Sequence, residues 1–348
     1  MRIVTLVCAA LLGLCGAALA QPAPKVMSAI DGIFEAFKTK PLVGLGEFHG
    51  LAQEFDLYLA LVRDPRFADE VGNIMLETGS VSQQAVVDRY VNGEHVPYAQ
   101  LRKVWSDQVG WFPTVTYRGS ITLYAAIREV NAKLSPERRI KVWLGEPPID
   151  WSQIKTKEDW QPLTKLRDSF PVELAEREIL AKGKKALLIW GAGHYGIYPD
   201  PNIRTILDEK HPGKLFTIAP YGGYAQKECT ARFERHIKGW AVPSLASPVR
   251  GTTLEADIWR KGCNMFTRFE GLTDAQYETS GRNNSGLTAD ALLYFGPRAS
   301  LIQGARDLDI LMDLDYRAEM DRRNILRTGK PLAPLNIGTN MPQRVFED

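Results

Sequence analysis

The chain lacks the marks of several common protein classes. It has four cysteines in 348 residues and no Cys-x-x-Cys pair, which argues against a zinc ribbon or a thioredoxin-like redox motif. It has no excess of one charge: 43 Lys and Arg against 41 Asp and Glu leave a net charge of +2, so no strongly basic face for nucleic acid is expected. Long hydrophobic runs are missing too. Ile3 to Leu14 is short of the roughly 20 residues a membrane span needs, and no later segment approaches it, so the mature chain is not expected to insert stably in a membrane. There is no Gly-x-Ser-x-Gly nucleophile elbow and no phosphate-binding P-loop. Gly44-Leu45-Gly46 lacks the third glycine of a dinucleotide fingerprint, and Glu47 would repel a pyrophosphate.

What is present begins with a leader. Met1-Arg2 supplies the positive start, the apolar run follows, and Ala18-Leu19-Ala20 precedes Gln21, which is the order of a secretory signal peptide over residues 1–20. Export to the periplasm or beyond is therefore expected. Cys8 and Cys15 leave with the leader, so Cys229 and Cys263 remain as a candidate disulfide in an oxidising compartment. Residues 21–327 read as a single α/β domain, and 328–348 as an irregular Pro- and Asn-rich tail.

Short apolar runs alternate with helical patterns, the signature of a mostly parallel sheet flanked by helices on both faces. The strand candidates are Pro41–Gly46, Asn73–Leu76, Ile140–Leu144, Ala186–Trp190, Leu215–Ala219 and Ala291–Gly296. Helices are expected over about Leu51–Arg63, Val81–Tyr90 and Val172–Lys182. The stretch from Val91 to Leu134 carries Trp105, Trp111, Phe112, Tyr117 and Tyr124, and reads as a helical lid insertion.

Four of these strands end in a glycine-containing turn that carries an ionisable side chain: Glu47 with His49, then Glu77, Glu146 and His194. Ligands of open α/β sheets bind outside the carboxyl ends of the strands. If the strands are parallel neighbours, these five side chains meet. Two histidines and three carboxylates suit general acid–base work on a bound water. The same types could hold a divalent metal through His49, His194, Glu47 and Glu77, and the residue types do not choose between these options. His95, His211 and His236 stand in polar contexts without companions and read as surface groups.

Gly46-Glu47-Phe48-His49-Gly50 with Glu54-Phe55, then Met75-Leu76-Glu77 and Asp88-Arg89-Tyr90-Val91, resembles the erythromycin esterase-like superfamily, which includes ChaN-like haem-binding lipoproteins and the TIKI metalloproteases. Trp190-Gly191-Ala192-Gly193-His194 resembles the family's later strand-plus-histidine motif, and Ala289–Phe295 its closing strand. The resemblance implies that His49 activates water, that Glu47 and Glu77 orient it or share its proton, and that His194 supports the transition state. Arg89, Tyr90, Trp111 and Tyr221 are the candidate contacts to a small-molecule substrate. The expected activity is hydrolysis of an ester, lactone or amide, with no cofactor required or with a divalent metal. The single residue between Glu47 and His49 is the ChaN-like spacing, so haem or iron uptake is the alternative. A non-catalytic binding protein is the third reading.

Overall fold

The computed structural model describes residues 21–110, 117, 119–196, 201–224, 226–255, 289–334 and 343–345. The expected leader over residues 1–20, Trp111, Phe112 and Cys263 lie outside the described residues, and with them the bridge expected between Cys263 and Cys229.

The chain forms an eight-stranded sheet from β1 (Lys25–Ser28), β2 (Leu42–Glu47), β3 (Asn73–Ser80), β4 (Lys141–Glu146), β5 (Ala186–Gly191), β6 (Leu215–Tyr221), β7 (Ser244–Ser247) and β8 (Ala291–Tyr294). Their order across the sheet is β1-β7-β8-β6-β2-β5-β3-β4. From β8 to β4 every pairing is parallel, and β7 runs against both of its neighbours. This is the α/β architecture expected from the alternating runs, with β1 and β7 added at one edge.

Between the strands lie α1 (Ala29–Phe37), α2 (Ala52–Arg63), α3 (Gln84–Val91), α4 (Tyr98–Leu101), α5 (Lys103–Ser106), α6 (Gly119–Asn131), α7 (Lys157–Thr164), α8 (Ser169–Glu178), α9 (Ile203–Lys210) and α10 (Lys227–His236). A further helix spans Leu314–Thr328, and Gln343–Arg344 in the tail pairs with Ile302–Gln303. No helix among the described residues is long and apolar enough to cross a membrane.

Because successive strand side chains point to opposite faces, the continuous apolar runs feed two layers. Val43, Leu45, Ile74, Leu76, Leu187 and Ile189 pack with residues of α1, α2, α3 and α6 on one face. Leu42, Met75, Ala186, Leu188 and Trp190 pack with α8 and α9 on the other. Burial on both faces is why these strands read as unbroken hydrophobic stretches rather than alternating ones.

Trp105 and Tyr124, within the stretch expected to form a lid, are fully buried and stacked on each other, with ring centroids 6.3 Å apart. They pack into the larger of the two layers.

Candidate active site

The carboxyl ends of β2, β5, β3 and β4 lie side by side, in that order. Glu47 is the last residue of β2, and the chain turns sharply after it. Glu54, buried in the first turn of α2, accepts the Phe48 N–H with both carboxylate oxygens, at 2.9 and 3.1 Å. Gly50 completes the turn at φ +89°, where a Cβ would also strike the Tyr117 ring. The result is that His49 folds back onto Glu47, and its Nδ1 hydrogen-bonds the Glu47 carboxylate. Tyr58 on α2 donates to the other Glu47 oxygen at 3.3 Å.

Glu77 on β3 stands at the centre. Its Oε2 accepts the Gly191 N–H from β5 at 2.6 Å and faces His49 Nε2 at 3.8 Å. Its Oε1 is bound by the Arg167 guanidinium and lies 3.4 Å from His194 Nε2. His194 sits one short helical turn past β5, and its Nδ1 meets Asp168 at 2.7 Å. The cluster is therefore two imidazoles, each oriented by its own carboxylate, on either side of a third carboxylate. Gly191 must be small here, since a Cβ would sit 2.7 Å from His49 Nε2.

Glu146 at the end of β4 is buried, and its hydrogen-bond partners lie on the side of Arg167 rather than of the imidazoles. It accepts from Arg167 Nε at 2.6 Å and from the Val109 N–H at 3.0 Å, so it holds the arginine that holds Glu77.

The electrostatics follow from burial and partners. Burial opposes charge on His194, but Glu77 and Asp168 outweigh it and carry the imidazole up to about 9. Burial likewise opposes charge on His49, and Glu77 and Glu47 overcome it, raising the ring above its ordinary value. Glu77 is held well below the carboxylate range against its burial by His194, His49 and Arg167. Glu146 is pushed up by burial, with Arg167 pulling the other way.

A narrow cleft of about 30 Å³ opens on this cluster and is lined by Glu47, His49 and Glu77 together with Phe55, Tyr58 and Tyr124. That is room for a water or two. His194 is only 3% exposed, is not part of the lining, and stands behind Glu77. Among the described residues, no group of three or more His, Cys, Asp or Glu is arranged to hold a metal ion.

Of the residues expected to contact substrate, those described are placed elsewhere. Arg89 is exposed on α3 and pairs with Glu94 at 2.9 Å. Tyr90 lies under the Arg128 guanidinium, 4.9 Å from the ring centroid. Tyr221 is fully buried in an aromatic cluster with Tyr224, Phe233 and Tyr294. Arg89 and Tyr90 on α3 take Glu94 and Arg128 as partners and do not line the cleft, and the ring of Tyr221 on β6 points into the core. Conversely, Arg167, Asp168 and Tyr58 belong to the cluster without having been expected there. Asp168 occupies a helix N-cap position, yet its side chain makes no cap bond because it is turned to His194. A polar pair between two helices gives no signal in the sequence beyond that of an ordinary cap.

No protein-family model matches the chain. No curated protein is significantly similar to it. Among solved structures it is similar to a protein from Bacillus cereus, at 14% identity over 76% of this chain and 90% of that one, with a TM-score of 0.48. It is also similar to a succinoglycan biosynthesis protein, at 13% identity over 56% and 69% with a TM-score of 0.44. A third is ChaN of Campylobacter jejuni with cofacially bound heme, at 14% identity over 57% and 88% with a TM-score of 0.37. Likeness at this distance carries no argument about substrate or cofactor.

Proposed function

We propose that this chain is an exported hydrolase that uses His49 to activate water against an ester, lactone or amide of a small molecule. The observation that carries the reading is the pair of contacts on one imidazole: Nδ1 bound to Glu47, and Nε2 facing Glu77 across 3.8 Å at the cleft wall. That gap is too long for a direct hydrogen bond and fits a water donating to both atoms. Once the pH passes the raised value of this ring, Glu47 holds Nδ1–H and the neutral imidazole presents its lone pair at Nε2, so turnover should climb with pH. His49 takes one proton from the water, the hydroxide oxygen bonds to the carbonyl carbon, and the carbonyl electron pair moves onto its oxygen. When the tetrahedral centre collapses, the bond to the alkoxide or amine breaks, and His49 returns its proton to that leaving group. Glu77, kept ionised, aligns the water and balances the imidazolium. The family resemblance of the motif from Gly46 to Gly50 points the same way.

A cleft of about 30 Å³ among the described residues admits a water and a carbonyl beside His49 and Glu77. Purified mature protein tested on a panel of aryl esters, lactones and anilides should turn over at least one class. His49→Ala and Glu77→Gln should keep the wild-type circular dichroism and lose about 10²–10⁴ in kcat, the usual worth of a positioned acid or base. Turnover retained by both variants would end the assignment.

A further inference from the structure

Arg167 and Asp168 are consecutive residues in the turn between α7 and α8, outside the sheet. Their side chains diverge around the cluster. Arg167 bridges two strand ends, binding Glu77 on β3 and, at 2.6 Å, Glu146 on β4. Asp168 takes His194 Nδ1 at 2.7 Å and accepts the Ile203 N–H of α9 at 3.1 Å with the same oxygen. Both arms converge on one atom, because Arg167 and His194 Nε2 face the same oxygen of Glu77. With Oε1 taken on that side and Oε2 receiving the Gly191 N–H, the Glu77 carboxylate cannot rotate, and its remaining lone pair is aimed at His49.

The surroundings are shaped for this. A Cβ on Gly110 would lie 2.2 Å from Arg167 Nη2 and 2.5 Å from its Cζ, so the guanidinium passes flat over a residue with no side chain. The next residue back, Val109, donates its N–H to Glu146 and accepts the Trp160 indole N–H of α7 at 3.0 Å.

We propose that the Arg167–Asp168 turn is the positioning element of the site, fixing the Glu77 carboxylate toward His49 from two sides without touching substrate. The kinetic part of this claim rests on the hydrolase reading; the structural part does not. A salt bridge serving only to hold the fold would lose stability when cut and leave the chemistry alone. A positioning element loses kcat and leaves KM in place.

The test uses Arg167→Met, Arg167→Lys, Asp168→Asn and Gly110→Ala in the full mature chain. Arg167→Met and Asp168→Asn should each lower kcat by about 10–100-fold, the range seen when groups orienting a reactive residue are removed, with KM changed by less than about twofold. Arg167→Lys keeps the charge but cannot span both carboxylates, so it should fall between wild type and Arg167→Met. Gly110→Ala alters no ionisable group and should reproduce the loss by displacing the guanidinium. Proton NMR of the low-field imidazole N–H region supplies an arm independent of turnover. Asp168→Asn should abolish the His194 resonance, and both it and Arg167→Met should shift that of His49. Wild-type kcat in both variants, beside an inactive His49→Ala, overturns the proposal and leaves the hydrolase reading standing; so does an unmoved His49 resonance in both. A wild-type protein that hydrolyses nothing ends the hydrolase reading, and the resonances then decide the positioning claim alone.

Discussion

His194 reads in sequence as a strand-terminal imidazole that would titrate near neutrality. Between Glu77 on one nitrogen and Asp168 on the other it stays charged up to about 9. The folded value lies above the unfolded value of about 6.5, so the proton favours the folded state. That contribution is complete below about 6.5 and disappears as pH rises through about 9. At roughly 1.4 kcal/mol per unit it is at most about 3–4 kcal/mol, a quantity shared with the depressed Glu77 rather than added to it. Urea denaturation should show wild type losing stability between about pH 6.5 and 9.5, and His194→Gln losing clearly less. Equal slopes for the two proteins would show that the imidazolium is not held as described. Residues of this kind were legible because a lone His or Glu after an apolar run and a glycine stands out. Arg167 and Asp168 were not, since Leu166-Arg167-Asp168-Ser169 has the composition of any solvated turn between helices, and only the sheet order brings it over the site.

Strand ends were the most legible elements. The runs beginning at Leu42, Asn73 and Ala186 are buried on both faces, so their hydrophobicity is uninterrupted and their polar ends are sharp; the edge run at Lys141 is half-buried at Lys141 and Trp143 but ends as sharply. The edge strand β1 and its neighbour β7 carried no such signal. They are four residues each and pair antiparallel with a mixed burial pattern. Helix α1 is short as well, at nine residues, and is held by a Ser28 cap that accepts the Asp31 N–H and by a buried stripe of Ile33, Phe34 and Phe37. The end of β3 depends on Gly79, which has φ +117° and whose Cβ would lie 2.2 Å from the Val104 carbonyl oxygen in α5. Gly79→Ala must therefore strain the backbone and push α5 away, and should cost about 1–3 kcal/mol in chemical denaturation. A loss below about 0.5 kcal/mol, the range of an ordinary surface change, would mean that the strand end tolerates movement there.

At the scale of the molecule, the helix Leu314–Thr328 closes the structure behind the site. Arg323 is buried, pairs with Asp107 at 2.8 Å and reaches the Ser106 carbonyl at 3.2 Å. Arg322 donates to the carbonyls of Trp151 and Ile154, both at 3.0 Å. The Asp107 carbonyl in turn receives the Ser80 N–H at the tip of β3, so the helix is tied through one residue to the strand that carries Glu77. Arg323→Ala leaves Asp107 buried without its cation and should destabilise the protein by about 3–5 kcal/mol, measured by urea denaturation. A cost under about 1 kcal/mol would place this pair with weak surface bridges instead.

The sheet order has a consequence for how the chain comes into being. β2 and β3 never pair with each other; β5 is wedged between them and brings the Gly191 amide and His194 with it. A ribosome that has delivered the first three parallel strands has delivered Glu47, His49, Glu77 and Glu146, but nothing yet holds β2 and β3 in register. Until β5 fills the central place in the sheet, no strand pairing sets Glu47 and His49 in register with Glu77.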